Sequence, residues 1–137
     1  MSAPYGVQCR LCGCVPAADV SFHGHRGLVI MAVFRRLPGP FCQECGLAAF
    51  REMTAKTLIE GWWGIASFLI APFIVLLNAV RRGRVANLPP PRPPARGPYR
   101  LPSDPGPPLL ARPTALIGLA IPLAALILLC GVHAASS

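Results

Sequence analysis

Four cysteines in two pairs of the same form are the residues of this sequence best suited to chemistry. Two residues separate the members of each pair, 29 residues separate the pairs, and a glycine follows each pair. A pair with this spacing directs two thiolates from one turn at a common point, and two such turns supply the tetrahedral sulfur set of a closed structural zinc site. The spacing therefore predicts a Zn²⁺ ion bound by Cys9, Cys12, Cys42 and Cys45.

Iron is an alternative metal for the same four ligands. The spacing is similar to that of rubredoxin, in which iron transfers one electron, but the chain lacks rubredoxin's acidic, aromatic-rich body and the proline within its second cysteine turn. Thiol–disulfide exchange is a further alternative, although it normally uses one exposed cysteine pair on a thioredoxin-like scaffold, which is not apparent here. Zinc is the leading prediction, and a redox role stays open.

Four other residues are candidate ligands with simpler interpretations. Cys14 follows the first pair closely, and we expect it to be a bystander thiol. Cys130 lies in an apolar segment, where a cysteine behaves as a small buried hydrophobe. His23 and His25 flank a predicted turn, so we expect exposed histidines rather than a second metal site.

The acidic residues give no indication of catalysis. The chain has five of them, and none forms a spaced pair with an obvious base. Neither a glycine-rich phosphate loop nor a Ser/His/Asp grouping is present. We therefore expect no catalytic residues and no enzyme activity.

The elements that must position the cysteines are a β-hairpin and a helix. Residues 20–23 alternate as a half-buried strand, residues 24–27 indicate a turn, and residues 28–34 form a second, nearly continuous apolar strand. A helical pattern follows the second pair, with Leu47, Phe50, Met53, Thr57 or Leu58, and Trp62 on one face. The predicted fold class is a small α+β head of the zinc-ribbon or treble-clef type.

Two apolar segments predict that this head is attached to a membrane. The chain is 53% hydrophobic with a mean hydropathy of +0.52, and both segments lack charged residues. Trp62 and Trp63 suit the headgroup layer. The predicted organisation is a head (1–60), a spanning or re-entrant segment (61–80), a linker (81–113), a transmembrane helix (114–132) and a tail (133–137).

The linker carries most of the positive charge. It holds seven of the thirteen basic residues and eleven prolines, which predicts a disordered or polyproline II chain. The net charge of +8 also suits nucleic acid, but this placement favours orienting charges on the cytoplasmic side of a membrane. Three topologies follow: the head outside, the linker outside, or a re-entrant hairpin at Pro72 that keeps both in the cytosol.

Several phrases around the cysteines resemble those of small zinc-ribbon membrane proteins of actinobacteria. They are the first cysteine pair with Pro16 and Ala17, the phrase from Gly39 through Cys45, and the tryptophan pair between Gly61 and Gly64. The resemblance covers about residues 9–90 and implies the same four cysteine ligands. It implies no activity.

The function that the sequence favours is a membrane-anchored zinc module without catalysis. Its expected partners are the lipid bilayer and an unidentified protein, with membrane-tethered nucleic-acid binding as a weaker alternative. The first residues lack a basic start followed by an apolar run, so we expect no signal peptide and a cytoplasmic head at the cell membrane.

Overall fold

A computed structural model describes residues 7–28 and 30–137, and in them the chain forms a β-hairpin and three long helices. This is a mixed α+β arrangement, as predicted. The elements in chain order are β1 (Ser21–Gly27), β2 (Ala32–Pro38), α1 (Gln43–Glu60), α2 (Ile65–Ala86), a short 3-10 helix (Leu109–Ala111) and α3 (Pro113–Ser136).

The two strands pair antiparallel with Ser21 opposite Pro38 and Gly27 opposite Ala32. The turn predicted over residues 24–27 is wrong, because these residues continue β1 and the chain reverses after them. The glycine at position 27 allows helix α2 to pack closely against β1. A Cβ on Gly27 would lie 2.6 Å from the side chain of Ser67 in α2, so the helix approaches the strand where no side chain intervenes.

The free edge of β1 is covered by side chains from the helices. The backbone N–H of His23 donates to Asn78 Oδ1 at 2.9 Å, and that of His25 donates to Thr57 Oγ1 at 3.0 Å. Arg81 donates to the carbonyl of Ser21 at 2.7 Å. Side chains of α1 and α2 thus satisfy backbone groups that an unpaired strand would otherwise expose.

Helix α1 is the central element of the fold. It contacts β1, α2 and α3, and its buried residues therefore lie on more than one face. The predicted single apolar face is only partly correct: Phe50 and Leu58 are buried, Leu47 and Met53 are half-buried, and Thr54 is fully buried. Because α1 packs on more than one side, small or hydroxyl-bearing residues such as Thr54 are also buried, outside the single apolar face that the sequence pattern predicted.

Helix α2 continues through Pro72 and returns along α1. The hairpin at Pro72, one of the three topologies that the sequence left open, does not form, because one helix extends over Ile65–Ala86. The chain turns back before it, at residues 61–64. The far end of α2 reaches the start of α1, where Gln43 donates to the carbonyl of Ala86 at 3.0 Å.

Helix α3 packs against the rest of the molecule mainly through its first half. Its only buried residues are Ala115 and Gly118, which pack against α1. From Gly118 to Ser136 the helix extends for about 27 Å with mostly exposed apolar side chains. Both α2 and α3 are long and apolar enough to cross a membrane.

The segment between α2 and α3 is bound to the head along its length. Arg92 forms an antiparallel bridge with Val15, and Arg100 N donates to the carbonyl of Cys12 at 2.7 Å. Farther on, Arg51 donates to the carbonyl of Gly106 at 2.5 Å. Of the two predicted states of the linker, disorder is wrong for this segment, because its backbone groups find partners on the head.

Candidate metal centre

The four predicted ligands meet in one buried cluster. Their sulfur atoms all lie within 4.8 Å of one another, and Cys12 Sγ is 3.6 Å from Cys42 Sγ. Tetrahedral zinc with bonds of about 2.3 Å needs sulfurs roughly 3.8 Å apart. All four side chains are at most 3% exposed. The donor set and its spacing therefore fit a tetrahedral metal ion.

The first cysteine pair lies on a tight turn. Gly13 N donates to the carbonyl of Cys9 at 2.8 Å, and Cys14 N points at Cys12 Sγ from 3.4 Å. Gly13 has φ +79°, a conformation that other residues adopt only with strain. A Cβ at this position would also lie 2.6 Å from the carbonyl oxygen of Pro98. Both the backbone conformation and the close approach of Pro98 therefore require glycine after this pair.

The second pair opens α1. Cys42 immediately precedes the helix and Cys45 lies in its first turn, which confirms the predicted helix carrying this pair. The glycine that follows has a different role from Gly13. Gly46 is helical, and a Cβ there would lie 2.6 Å from Val85 Cγ1, so the glycine lets α2 pack directly beside the cluster.

The pKa values of the four thiols explain why this cluster suits a cation. The pKa of Cys9 is lowered to about 4, chiefly because the Cys42 thiol donates a hydrogen bond to its thiolate. The same bond, together with burial, raises the pKa of Cys42 far above its ordinary range. Burial is also the main cause that raises the pKa of Cys12 and brings that of Cys45 to about 11. Protein alone thus favours one thiolate, whereas a bound divalent cation stabilises four.

One sulfur of the cluster accepts a hydrogen bond from the linker. Ser103 N lies 3.3 Å from Cys45 Sγ. Because the two residues are 58 positions apart in the chain, no local spacing predicted this contact. A donor aimed at a ligand sulfur disperses the negative charge of the thiolate and orients it, as outer-shell hydrogen bonds do at other metal sites.

Replacing Ser103 with proline tests this bond, since proline has no N–H to donate. We expect zinc affinity to fall by about tenfold, the lower end of the range for losing an outer-shell partner. Competition with a chromophoric chelator measures the change. Ser103→Ala is the matched control, because it removes the hydroxyl and keeps the N–H. Equal affinities of the two variants would show that the bond does not contribute.

The remaining candidate ligands lie away from the cluster. Cys14 is buried, but its thiol points to the carbonyl of Arg100 at 3.6 Å, in line with a bystander role. Cys130 is exposed on the apolar helix α3. The histidines are not exposed turn residues: both lie in β1, His25 is 2% exposed, and His23 Nδ1 is 2.8 Å from Arg81 Nη1.

The buried ring of His25 predicts a dependence of stability on pH. Neither ring nitrogen has a hydrogen-bond partner within the described residues, and burial lowers the pKa below the ordinary 6.5. The unfolded chain therefore binds a proton at a pH where the folded one does not. Stability is complete above about pH 6.5 and is lost as the pH falls towards the lowered folded pKa.

We expect His25→Leu to reduce the loss of thermal stability between about pH 7.5 and about pH 5.5. His133→Leu, in the exposed last turns of α3, is the control and should behave like the wild type. Both variants keep the four cysteines, so acid protonation of the metal ligands affects them equally. Identical slopes for the two variants would contradict the prediction.

Comparison of the chain with protein-family models, with curated proteins and with solved structures yields no significant match. The four-cysteine cluster and the two apolar helices are thus established by the chain's own geometry. The resemblance to actinobacterial zinc-ribbon membrane proteins stays a prediction.

Proposed function

We propose that this protein is a membrane-anchored zinc module that binds another protein on the cytoplasmic face of the cell membrane and performs no catalysis. The cysteine turn, the hairpin and the helix that begins at the second pair support a head of the zinc-ribbon or treble-clef type. Four sulfurs complete the coordination of zinc and leave no position for a substrate, which supports a structural metal.

The observation that carries the proposal is the separation of the cluster from the apolar end of the molecule. Gly46 beside the cluster contacts Val85, near the end of α2. Helix α1 extends for about 21 Å from Gly46 to Glu60, and beyond it Gly64 approaches the carbonyl of Leu28 at the tip of the hairpin. The metal site and the tryptophan-bearing turn therefore lie at opposite ends.

Exposed apolar side chains extend from this turn along the outer surface. On α2 they recur every three or four residues, which places them in one stripe opposite the face that packs on the head. Exposed residues of this stripe are Ile65, Leu69, Phe73, Leu76 and Val80. The tip of the hairpin adds Ile30 and Met31, at 92% and 62% exposure. Contact with lipid accounts for so much apolar surface on a small protein.

Because α2 returns along α1, its two ends lie near the head, which supports a topology with the head and the linker on the same side of the membrane. Hydrogen bonds join the linker to Cys12 and Cys45, so the two cannot be separated by a bilayer without breaking them. We infer that α3 crosses the membrane and that α2 contacts lipid without carrying the chain across. The seven linker arginines favour the cytosol for the head.

Labelling of single cysteines on intact cells tests this topology. We expect Asp19→Cys in the head and Ala95→Cys in the linker to resist a membrane-impermeant maleimide, and Ser136→Cys to react. Each is introduced into a Cys130→Ser background, and permeabilised cells show that every site can react. Labelling of only one of Asp19→Cys and Ala95→Cys would mean that α2 crosses the bilayer.

Cross-linking in native membranes tests the interaction role. A photoactivatable residue at Glu44, beside the cluster, should give a discrete protein adduct in the wild type. The adduct should disappear in Cys42→Ser, which retains both apolar segments. An adduct that persists in that variant, or none in the wild type, would contradict a role for the folded head in binding a protein.

A further inference from the structure

A basic cleft lies beside the hairpin, on the side of α2 where its apolar segment ends. Its volume is about 450 Å³. Residues that line it include Asp19, Ser21, His23, Arg36, Arg81 and Arg84. Three arginines and one aspartate give this cleft a formal excess of two positive charges. None of the four cysteines lines it, so it is separate from the metal centre.

Hydrogen bonds hold two of the arginines in place. Arg81 Nη1 donates to the carbonyl of Ser21 and to His23 Nδ1, at 2.7 and 2.8 Å. Arg36 Nη2 donates to the hydroxyl of Ser21 at 3.3 Å. These partners are neutral. Each guanidinium keeps further N–H groups available, because it has five in a planar fork.

No carboxylate neutralises these arginines within the described part of the chain. The ion pair found there joins Lys56 to Glu52 on α1, and Asp19 forms none with the arginines that share its cleft. The pKa of His23 is lowered, chiefly by burial and then by the positive charges of Arg81 and Arg36. With Nδ1 accepting from Arg81, the neutral ring carries its proton on Nε2, which adds another donor.

The position of the cleft on α2 indicates which anion it suits. The exposed apolar stripe ends at Val80, directly before Arg81, and Arg84 lies one turn farther on. An acyl chain on the stripe would bring a phosphate to this point. Arg84 also counters the partial negative charge of the helix C-terminus, which would otherwise repel an anion.

We propose that this cleft binds the phosphate group of an anionic phospholipid, with Arg36, Arg81 and Arg84 as the binding residues. Arginine forks match phosphate oxygens in pairs, and basic pockets beside membrane helices on the cytoplasmic side suit such headgroups. The site goes beyond the zinc-module function, because it gives the head a preference for lipid composition. A free phosphate ester offers the same chemistry and is the other source to be tested.

The test uses the full-length protein purified in a neutral detergent, with lipid binding followed by native mass spectrometry. Arg36→Gln combined with Arg84→Gln removes two charges and leaves Arg81, which also holds β1, in place. The control combines Arg35→Gln with Arg96→Gln, because Arg35 projects from the opposite face of β2 to Arg36 and neither control residue lines the cleft. Zinc content and melting temperature verify that both proteins are folded.

We expect the wild type to bind phosphatidylglycerol in preference to phosphatidylcholine. The cleft variant should lose about tenfold or more of the phosphatidylglycerol affinity, and the control less than about threefold. Equal losses in the two variants would overturn the proposal, since general charge would then explain binding. If the cleft variant does not fold, Arg36→Gln and Arg84→Gln are measured singly, and an unchanged affinity in both overturns the site.

Two further probes distinguish the source of the phosphate. Inorganic phosphate, titrated by calorimetry, should bind the wild type more weakly than phosphatidylglycerol does. Tighter binding of inorganic phosphate that is lost in the cleft variant would overturn the lipid assignment in favour of a soluble ligand. A single-stranded oligonucleotide that binds more tightly than the lipid and depends on the same arginines would overturn it in favour of nucleic acid.

Discussion

Replacing Cys42 with serine should abolish zinc binding and unfold the head. The apparent free energy of binding structural zinc is about 10–16 kcal/mol in zinc-finger peptides, and it contributes directly to folding. That is comparable with or larger than the whole stability of a small domain, about 5–15 kcal/mol. Elemental analysis should give about one zinc per wild-type chain and none for the variant, and near-ultraviolet circular dichroism should lose the signal of packed aromatic rings.

The other two cysteines provide controls for this experiment. Cys14→Ser should keep its zinc and lose about 1 kcal/mol or somewhat more, because a buried thiol is exchanged for a hydroxyl. Cys130→Ser, at an exposed site, should resemble the wild type. Full zinc content in Cys42→Ser would contradict the assignment of the ligands. A red wild-type preparation that contains iron and cycles reversibly would favour the rubredoxin-like alternative over structural zinc.

Replacing Asn78 with leucine should detach α2 from the hairpin, although it makes the helix more apolar. Asn78 is fully buried, and its amide accepts from His23 N–H at 2.9 Å and donates to the carbonyl of His23 at 2.6 Å. Leucine has a similar volume but leaves both backbone groups without partners. At about 1–3 kcal/mol for each unsatisfied group, we expect a loss of roughly 2–6 kcal/mol.

This loss should lower the melting temperature of the detergent-solubilised protein by roughly 10 °C or more. Leu76→Ala, on the exposed stripe of the same helix, is the control and should change it little. Asn78→Asp retains an acceptor for the N–H of His23 but loses the amide donor. Its effect on the melting temperature should be intermediate if the new carboxyl is neutral, and larger if it is ionised. A variant Asn78→Leu that is as stable as the wild type would show that α2 is held by apolar packing alone.

Comparison of the two helices shows the limits of reading membrane segments from hydrophobicity. Both α2 and α3 are apolar over the length of a bilayer, and the sequence predicted membrane contact for both. Only packing distinguishes them. One face of α2 is buried against α1 and β1 through Ser67, Ala71 and Asn78, whereas α3 is buried at Ala115 and Gly118 alone. A sequence window records how apolar a segment is, but not which neighbour covers it.

The four-cysteine cluster was predictable because its signal is local. Spacing within each cysteine pair determines the turn, and the conformation of Gly13 follows from the same few residues. The hairpin and α1 also follow from patterns within short segments. Their boundaries shifted where packing overrode the pattern: Gly24 and Gly27 resemble turn residues but lie in a strand beneath the helices.

The tertiary structure alone decided how distant segments meet. It placed the reversal of the chain at residues 61–64 rather than at Pro72, and it brought Ser103 to Cys45 and Arg81 to His23. Each of these contacts joins residues 58 positions apart. Local sequence determines the turns, strands and helices through short-range sterics and hydrogen bonds. Which of their faces meet depends on close packing and on buried polar groups finding partners across the whole chain, and no spacing within one segment records that.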